Sequence, residues 1–68
     1  MKLISQTQAT VDNNDFLVKV YKDSEWNEYV CRLFINGTEN KDASYHTDDK
    51  LDALDAATAM IRFASVIA

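Results

Sequence analysis

Glu28-Tyr29-Val30-Cys31-Arg32-Leu33-Phe34-Ile35-Asn36-Gly37-Thr38 is the stretch that decides the fold. Its first eight residues are aromatic, branched or alternating apolar and polar, the composition of a half-buried strand. Asn36-Gly37 then supplies the strongest short hairpin signal, because a type I′ turn needs positive φ at both central residues. Gly37 is the only glycine, and the chain has no proline. Residues Thr38–Thr47 therefore read as the returning, more polar strand of an antiparallel hairpin.

Upstream, Phe16-Leu17-Val18-Lys19-Val20-Tyr21 is a second strand. It is entered through Asp12-Asn13-Asn14-Asp15, residues suited to Asx turns and positive φ. Asp23–Asn27 is a link of hairpin length. Leu3–Val11 has the low hydrophobicity of an edge strand. Downstream the period changes from 2 to 3.6. Thr47 is the expected helix N-cap, with Asp48 and Asp49 in the first turn, where the helix dipole favours negative charge. Leu51, Leu54, Ala57, Ile61, Ala64 and Ala68 follow helical spacing and are expected to lie on the sheet. A second stripe, Ala53, Ala56, Met60, Phe63 and Ile67, runs beside it, with Asp52, Asp55 and Arg62 opposite. The expected fold is α+β: one β-β-β-β-α domain over residues 1–68. Its small antiparallel meander of three to four strands carries the C-terminal helix on one face.

Composition narrows the function. The 68 residues hold 7 Lys or Arg against 11 Asp or Glu, a net charge of −4, and the 47% apolar and 26% charged content is that of a globular chain. So short a domain buries only about 60% of its unfolded surface, and its single cysteine excludes an internal disulfide. The N-terminal stretch turns polar after Leu3-Ile4, and the apolar C-terminal segment is interrupted by Asp55, Thr58 and Arg62. The expectation is no membrane association and a cytoplasmic, reducing location. The acidic balance opposes direct nucleic-acid binding, which needs clustered cations.

Little here resembles catalytic machinery. His46, Asp48, Asp49 and Asp52 are the only cluster suggestive of a metal. Acidic residues at a helix start are accounted for by the dipole, and no EF-hand spacing accompanies them. In the register set by Asn36-Gly37, Cys31 faces Asp42, and a neighbouring carboxylate raises a thiol pKa rather than lowering it. No glycine loop cradles phosphate, and Asn36-Gly37-Thr38, although a glycosylation sequon, reads as a turn. The expectation is a non-enzyme without metal or cofactor.

The same register puts Glu28, Val30, Arg32 and Phe34 on one face with Tyr45, Ala43, Lys41 and Glu39, and turns Tyr29, Cys31, Leu33 and Ile35 toward the helix. The first set is either an ordinary half-polar sheet face or a protein-binding one, since aromatics and Arg are enriched at hot spots. The run Glu39, Asp42, Asp48, Asp49, Asp52 and Asp55 is either a solvated face or a phosphate-like surface for a basic groove. Candidate partner-binding residues are thus Trp26, Phe34, Tyr45, Asp48, Asp49, Asp52 and Asp55. A homodimer is expected to pair the helix stripe Ala53, Ala56, Met60, Phe63 and Ile67, because a two-fold contact needs one self-complementary patch.

Two segments, Val20-Tyr21-Lys22-Asp23-Ser24-Glu25-Trp26-Asn27-Glu28-Tyr29 and Lys41-Asp42-Ala43-Ser44-Tyr45-His46-Thr47-Asp48-Asp49-Lys50-Leu51-Asp52-Ala53, carry a resemblance. Together they resemble short uncharacterised proteins of tailed phages and proteobacterial prophages. In layout alone the chain is similar to small phage-encoded inhibitors such as type I-F anti-CRISPR proteins. The resemblance implies a phage protein that binds and inhibits a host protein complex; the alternative is a self-associating structural or assembly accessory. No inhibitor's contact residues map onto these positions.

Overall fold

Two pairs of left-handed residues organise the meander. Asp12 and Asn13 have φ of 52° and 66°, and Asn36 and Gly37 have φ of 51° and 84°. Each pair is the two-residue turn that matches the right-handed twist of its flanking strands. In the computed structural model, which describes residues 1–67 apart from the side chains of Ser65 and Ile67, these turns join β1 (Lys2–Val11) to β2 (Asn14–Asp23) and β3 (Glu28–Ile35) to β4 (Thr38–Thr47). The β2–β3 loop closes on Asn27, also left-handed at φ 49°. Asp23 Oδ1 accepts the Glu25 N–H (3.1 Å), and Lys22 Nζ donates to Asn27 Oδ1 (2.9 Å). The sheet is antiparallel in the order β1-β2-β3-β4, and α1 (Lys50–Ile67) lies across one face, mainly over β1 and β2. The four-stranded meander with one C-terminal helix is the fold expected from the sequence. No helix among the described residues is long and apolar enough to cross a membrane.

The two tight turns are tied together at one end of the sheet. Asn36 N–H donates to the Asp15 carbonyl (2.8 Å), and its Oδ1 accepts the Asp15 N–H (2.8 Å). Its Nδ2 also donates to Asn14 Oδ1 (3.1 Å). Asn36 thus serves both as a residue that tolerates positive φ and as a cross-link between hairpins.

The register of β3 and β4 departs from the expected one. Ile35↔Thr38, Phe34↔Glu39 and Leu33↔Asn40 follow from the turn, but beyond them Cys31 faces Tyr45, Val30 faces His46 and Tyr29 faces Thr47. Two steps along β3 are matched by five along β4, so β4 carries a bulge of three extra residues. Side chains alternate with period 2, and an odd offset therefore exchanges the faces of everything after it. Cys31 does not face Asp42, and Tyr45 lies on the helix side rather than with Val30, Arg32 and Phe34. Ala43 likewise packs against the core. Asn40 Oδ1 accepts the Asp42 N–H (3.2 Å) and Ser44 Oγ donates to the Lys41 carbonyl (3.5 Å), satisfying bulge backbone locally. Ordinary pairing would leave Ala43 and Tyr45 facing solvent; the bulge turns both toward the helix side.

The core is Phe16, Val18 and Val20 from β2, Cys31 and Leu33 from β3, and Ala53, Ala57, Ile61 and Ala64 from α1. Of the expected stripe, Ala57, Ile61 and Ala64 are in the core and Leu54 packs against it, Ala68 lies outside the described residues, and the departure is confined to the first turn. Leu51 is 72% exposed and Ala53 is fully buried. The N-cap is also shifted: Asp49, not Thr47, caps the helix, its Oδ1 accepting the Leu51 N–H at 2.9 Å. Thr47 Oγ1 instead accepts the Asp49 N–H two residues earlier (3.3 Å). Alanines at 53, 57 and 64 bring the helix backbone close to the sheet, near enough for the Cys31 thiol to donate to the Ala53 carbonyl at 3.2 Å.

Candidate binding groove

The flank between α1 and β4 collects more of the singled-out residues than any other part of the surface. Asp52, Ala56, Met60 and Phe63 follow one another along that side of the helix at intervals of four, four and three, with Ala59 beside Met60. Near the N-terminal end of α1, Tyr45 Oη donates to Asp52 Oδ2 at 2.7 Å. This hydrogen bond, and a second from Thr47, hold the Asp52 carboxyl below its ordinary pKa; in return Asp52 raises that of the Tyr45 phenol. Toward the C-terminal end the flank opens into a groove of about 730 Å³, lined by Phe16, Leu33, Ile35, Ala43, Met60 and Phe63, with Ala59 and Ala64 on the helix wall.

The groove exists because small side chains face each other across it while β4 bulges alongside. Phe63 stands at its lip, 69% exposed. Asn14 and Asn40 are its only polar lining residues, and it contains no titratable side chain. Its volume lies in the range of ligand pockets, yet nothing in it could move a proton or act as a nucleophile. What it can do is accept an apolar group.

The remaining candidates are dispersed. Trp26 sits in the β2–β3 loop, 72% exposed. Phe34 lies on the opposite sheet face, beneath Lys19 Nζ at 5.1 Å from its ring centroid. On that face Arg32 also stacks over Tyr21 at 5.5 Å, and Val30 is 2% exposed although no helix covers it. Cationic side chains thus cover two of the rings on this face, as they do on an ordinary solvated sheet. His46 Nδ1 and Glu28 Oε1 are 3.1 Å apart there. His46 consequently points away from Asp52, and the His46, Asp48, Asp49 and Asp52 cluster is not gathered. Among the described residues no group of three His, Cys, Asp or Glu is placed to hold a metal. Asp49 is engaged as the helix cap and Asp52 with Tyr45, while Asp48 and Asp55 are exposed.

Of the stripe expected to self-associate, Ala53 is inside the core, Ala56 and Met60 are half-buried, and only Phe63 is exposed; the Ile67 side chain lies outside the described residues. An alanine with its carbonyl bonded to Cys31 has no surface to offer a second copy. Cys31 itself is buried, and burial first, then the Asp52 charge, pushes its thiol pKa up. That is the reverse of what a nucleophilic cysteine needs.

Sequence reasoning missed the groove. Ala43, Ala59 and Ala64 are among its lining residues, and no local pattern distinguishes an alanine that lines a void from one that packs. No family model matches the chain, and no curated protein or solved structure matches it.

Proposed function

We propose that this chain is a non-enzymatic binding protein whose groove between α1 and β4 receives an apolar side chain from an amphipathic helix of a protein partner. The observation that carries the reading is the groove: apolar, open, free of titratable groups and flanked by the exposed ring of Phe63. Exposed apolar concavities of this kind are used in helix-in-groove recognition. Asp52 lies on this flank, bonded to Tyr45, and Asp42 and Asp55 are exposed in a chain of net charge −4, so a partner helix with Lys or Arg beside its apolar anchor is favoured electrostatically. The resemblance to short phage proteins adds the class of partner: a host protein complex, bound and inhibited in the cytoplasm of an infected bacterium.

The test is affinity capture from bacterial lysate with the tagged chain and five variants of it. Ala59→Lys and Phe63→Lys, both at exposed positions, should abolish recovery of a stoichiometric complex while leaving the circular-dichroism spectrum unchanged. Asp42→Lys with Asp55→Lys should slow association, and Phe34→Ala should be neutral. Capture that survives both groove variants but is lost on Phe34→Ala or Trp26→Ala would move the interface away from the groove and overturn the reading.

A further inference from the structure

The two edges of the sheet are unequal. On β4 the edge is interrupted by the three-residue bulge, and Glu39, Lys41 and Asp42 put charges along it. Bulges and charges are the devices that stop an edge strand from adding another. On β1 the segment Ser5-Gln6-Thr7-Gln8-Ala9-Thr10 holds no charge, no proline and no glycine, and its pairing with β2 is continuous from Ser5 to Val11. Only Lys2 and the irregularity between Leu3 and Ser5 protect the N-terminal end of this strand.

Which backbone groups of β1 face outward follows from the ladder. The Asp15 carbonyl bonds to Asn36 N–H, so the odd residues of β2 direct their amides toward β3 and the even ones toward β1. Asn14, Phe16, Val18 and Val20 therefore exchange bonds with Val11, Ala9, Thr7 and Ser5. The N–H and C=O groups of Gln6, Gln8 and Thr10 point away from the sheet, and all three side chains are exposed.

We propose that this edge pairs with the same edge of a second copy, antiparallel and centred on Gln8. A two-fold axis perpendicular to the sheet then sets Gln8 opposite Gln8 and Gln6 opposite Thr10, each pair exchanging both backbone bonds. No other centre among these residues satisfies all three outward positions at once. The side chains that meet are neutral: Gln8 meets Gln8, and Gln6 meets Thr10, whose hydroxyl donates to Asp15 Oδ1 (2.8 Å) and can accept from the Gln6 amide. The product is a continuous eight-stranded sheet whose outer edges are the two guarded β4 strands, so association stops at two. This inference does not depend on the function proposed for the groove, which lies at the far edge of the sheet.

Sedimentation of the full chain across micromolar to millimolar concentration tests it, with expected masses of 7.7 kDa and twice that value. Gln8→Lys places like charges directly opposite and should weaken dimerisation by roughly tenfold or more, with partial recovery at high salt. Gln8→Cys should form a disulfide-linked dimer under mild oxidation, since residues facing each other in a bonded pair have Cα atoms about 5.5 Å apart. Gln6→Cys should not, because its own copy lies about 14 Å away in this register; Cys31 is buried and contributes no background. A monomer at every concentration, a dimer unaffected by Gln8→Lys, or equal cross-linking of Gln6→Cys and Gln8→Cys would each refute the pairing.

Discussion

Replacing Asn36 by alanine removes two things at once. Alanine at φ 51° meets the left-handed steric penalty that Asn and Gly avoid, about 1 kcal/mol. The substitution also deletes the acceptor for the Asp15 N–H and the donor to Asn14 Oδ1, two exposed hydrogen bonds worth about 0.5–1 kcal/mol each. The sum is about 2–3 kcal/mol. A chain of 68 residues has roughly 3–10 kcal/mol of total stability, so the loss is a large share of it. The melting temperature of a domain this size falls by about 4–8 °C per kcal/mol, which puts the expected drop near 10–20 °C. Thermal and urea denaturation followed by circular dichroism at 222 nm measure it. Asn36→Gly separates the contributions: it keeps the backbone conformation, loses only the side-chain bonds, and should cost about half as much. Asn36→Ala within about 0.5 kcal/mol of the parent would refute the view that this residue cross-links the hairpins.

Three other outcomes follow from the interior and the flank. Ala53→Leu adds three carbons where the helix touches β3 and should cost about 1–3 kcal/mol or prevent folding, read as a lowered urea midpoint. Cys31 should react with a thiol reagent only after denaturation. Because its pKa is raised on folding, the stability that its protonated form supplies is complete below the ordinary thiol value and is lost as pH rises beyond it, a decline that Cys31→Ser should reduce. Asp52 has a lowered pKa, so its contribution is present above the ordinary carboxyl value of about 3.9 and is lost as pH falls through the folded value. Carbon-detected titration of Tyr45→Phe should show the Asp52 midpoint moving up toward that value.

Most of the fold was legible because its signals are local. Asn36-Gly37 and Asp12-Asn13 specify turn type through backbone sterics, and the change of period after Thr47 marks the helix. The departures arise where tertiary packing chooses between locally equivalent options. A strand such as Thr38–Thr47, with only Ala43 and Tyr45 to bury, gains by bulging if that turns both toward the helix, and no turn rule foretells it. At the helix start, Thr47 and Asp49 are both competent caps; choosing Asp49 goes with Leu51 in water and Ala53 in the core. The groove is a matter of volumes that emerge only when three separate alanines meet. The residues bearing Tyr45, Asp52, Met60 and Phe63 were visible individually, but their shared flank depends on the bulge.

Trp26, the chain's single tryptophan, is already in solvent in the folded protein. Its indole emission should therefore resemble that of a free peptide and change little on unfolding. The same ring lies at the opposite end of the sheet from the Asn14, Ile35 and Asn40 end that opens into the groove. A ligand seated in the groove would leave its fluorescence and its quenching by iodide unaltered, whereas anything that closes over the β2–β3 loop would blue-shift the band and shelter it from the quencher. The molecule thus carries an optical tag that is silent to its own folding and reports only on which end of the sheet is occupied.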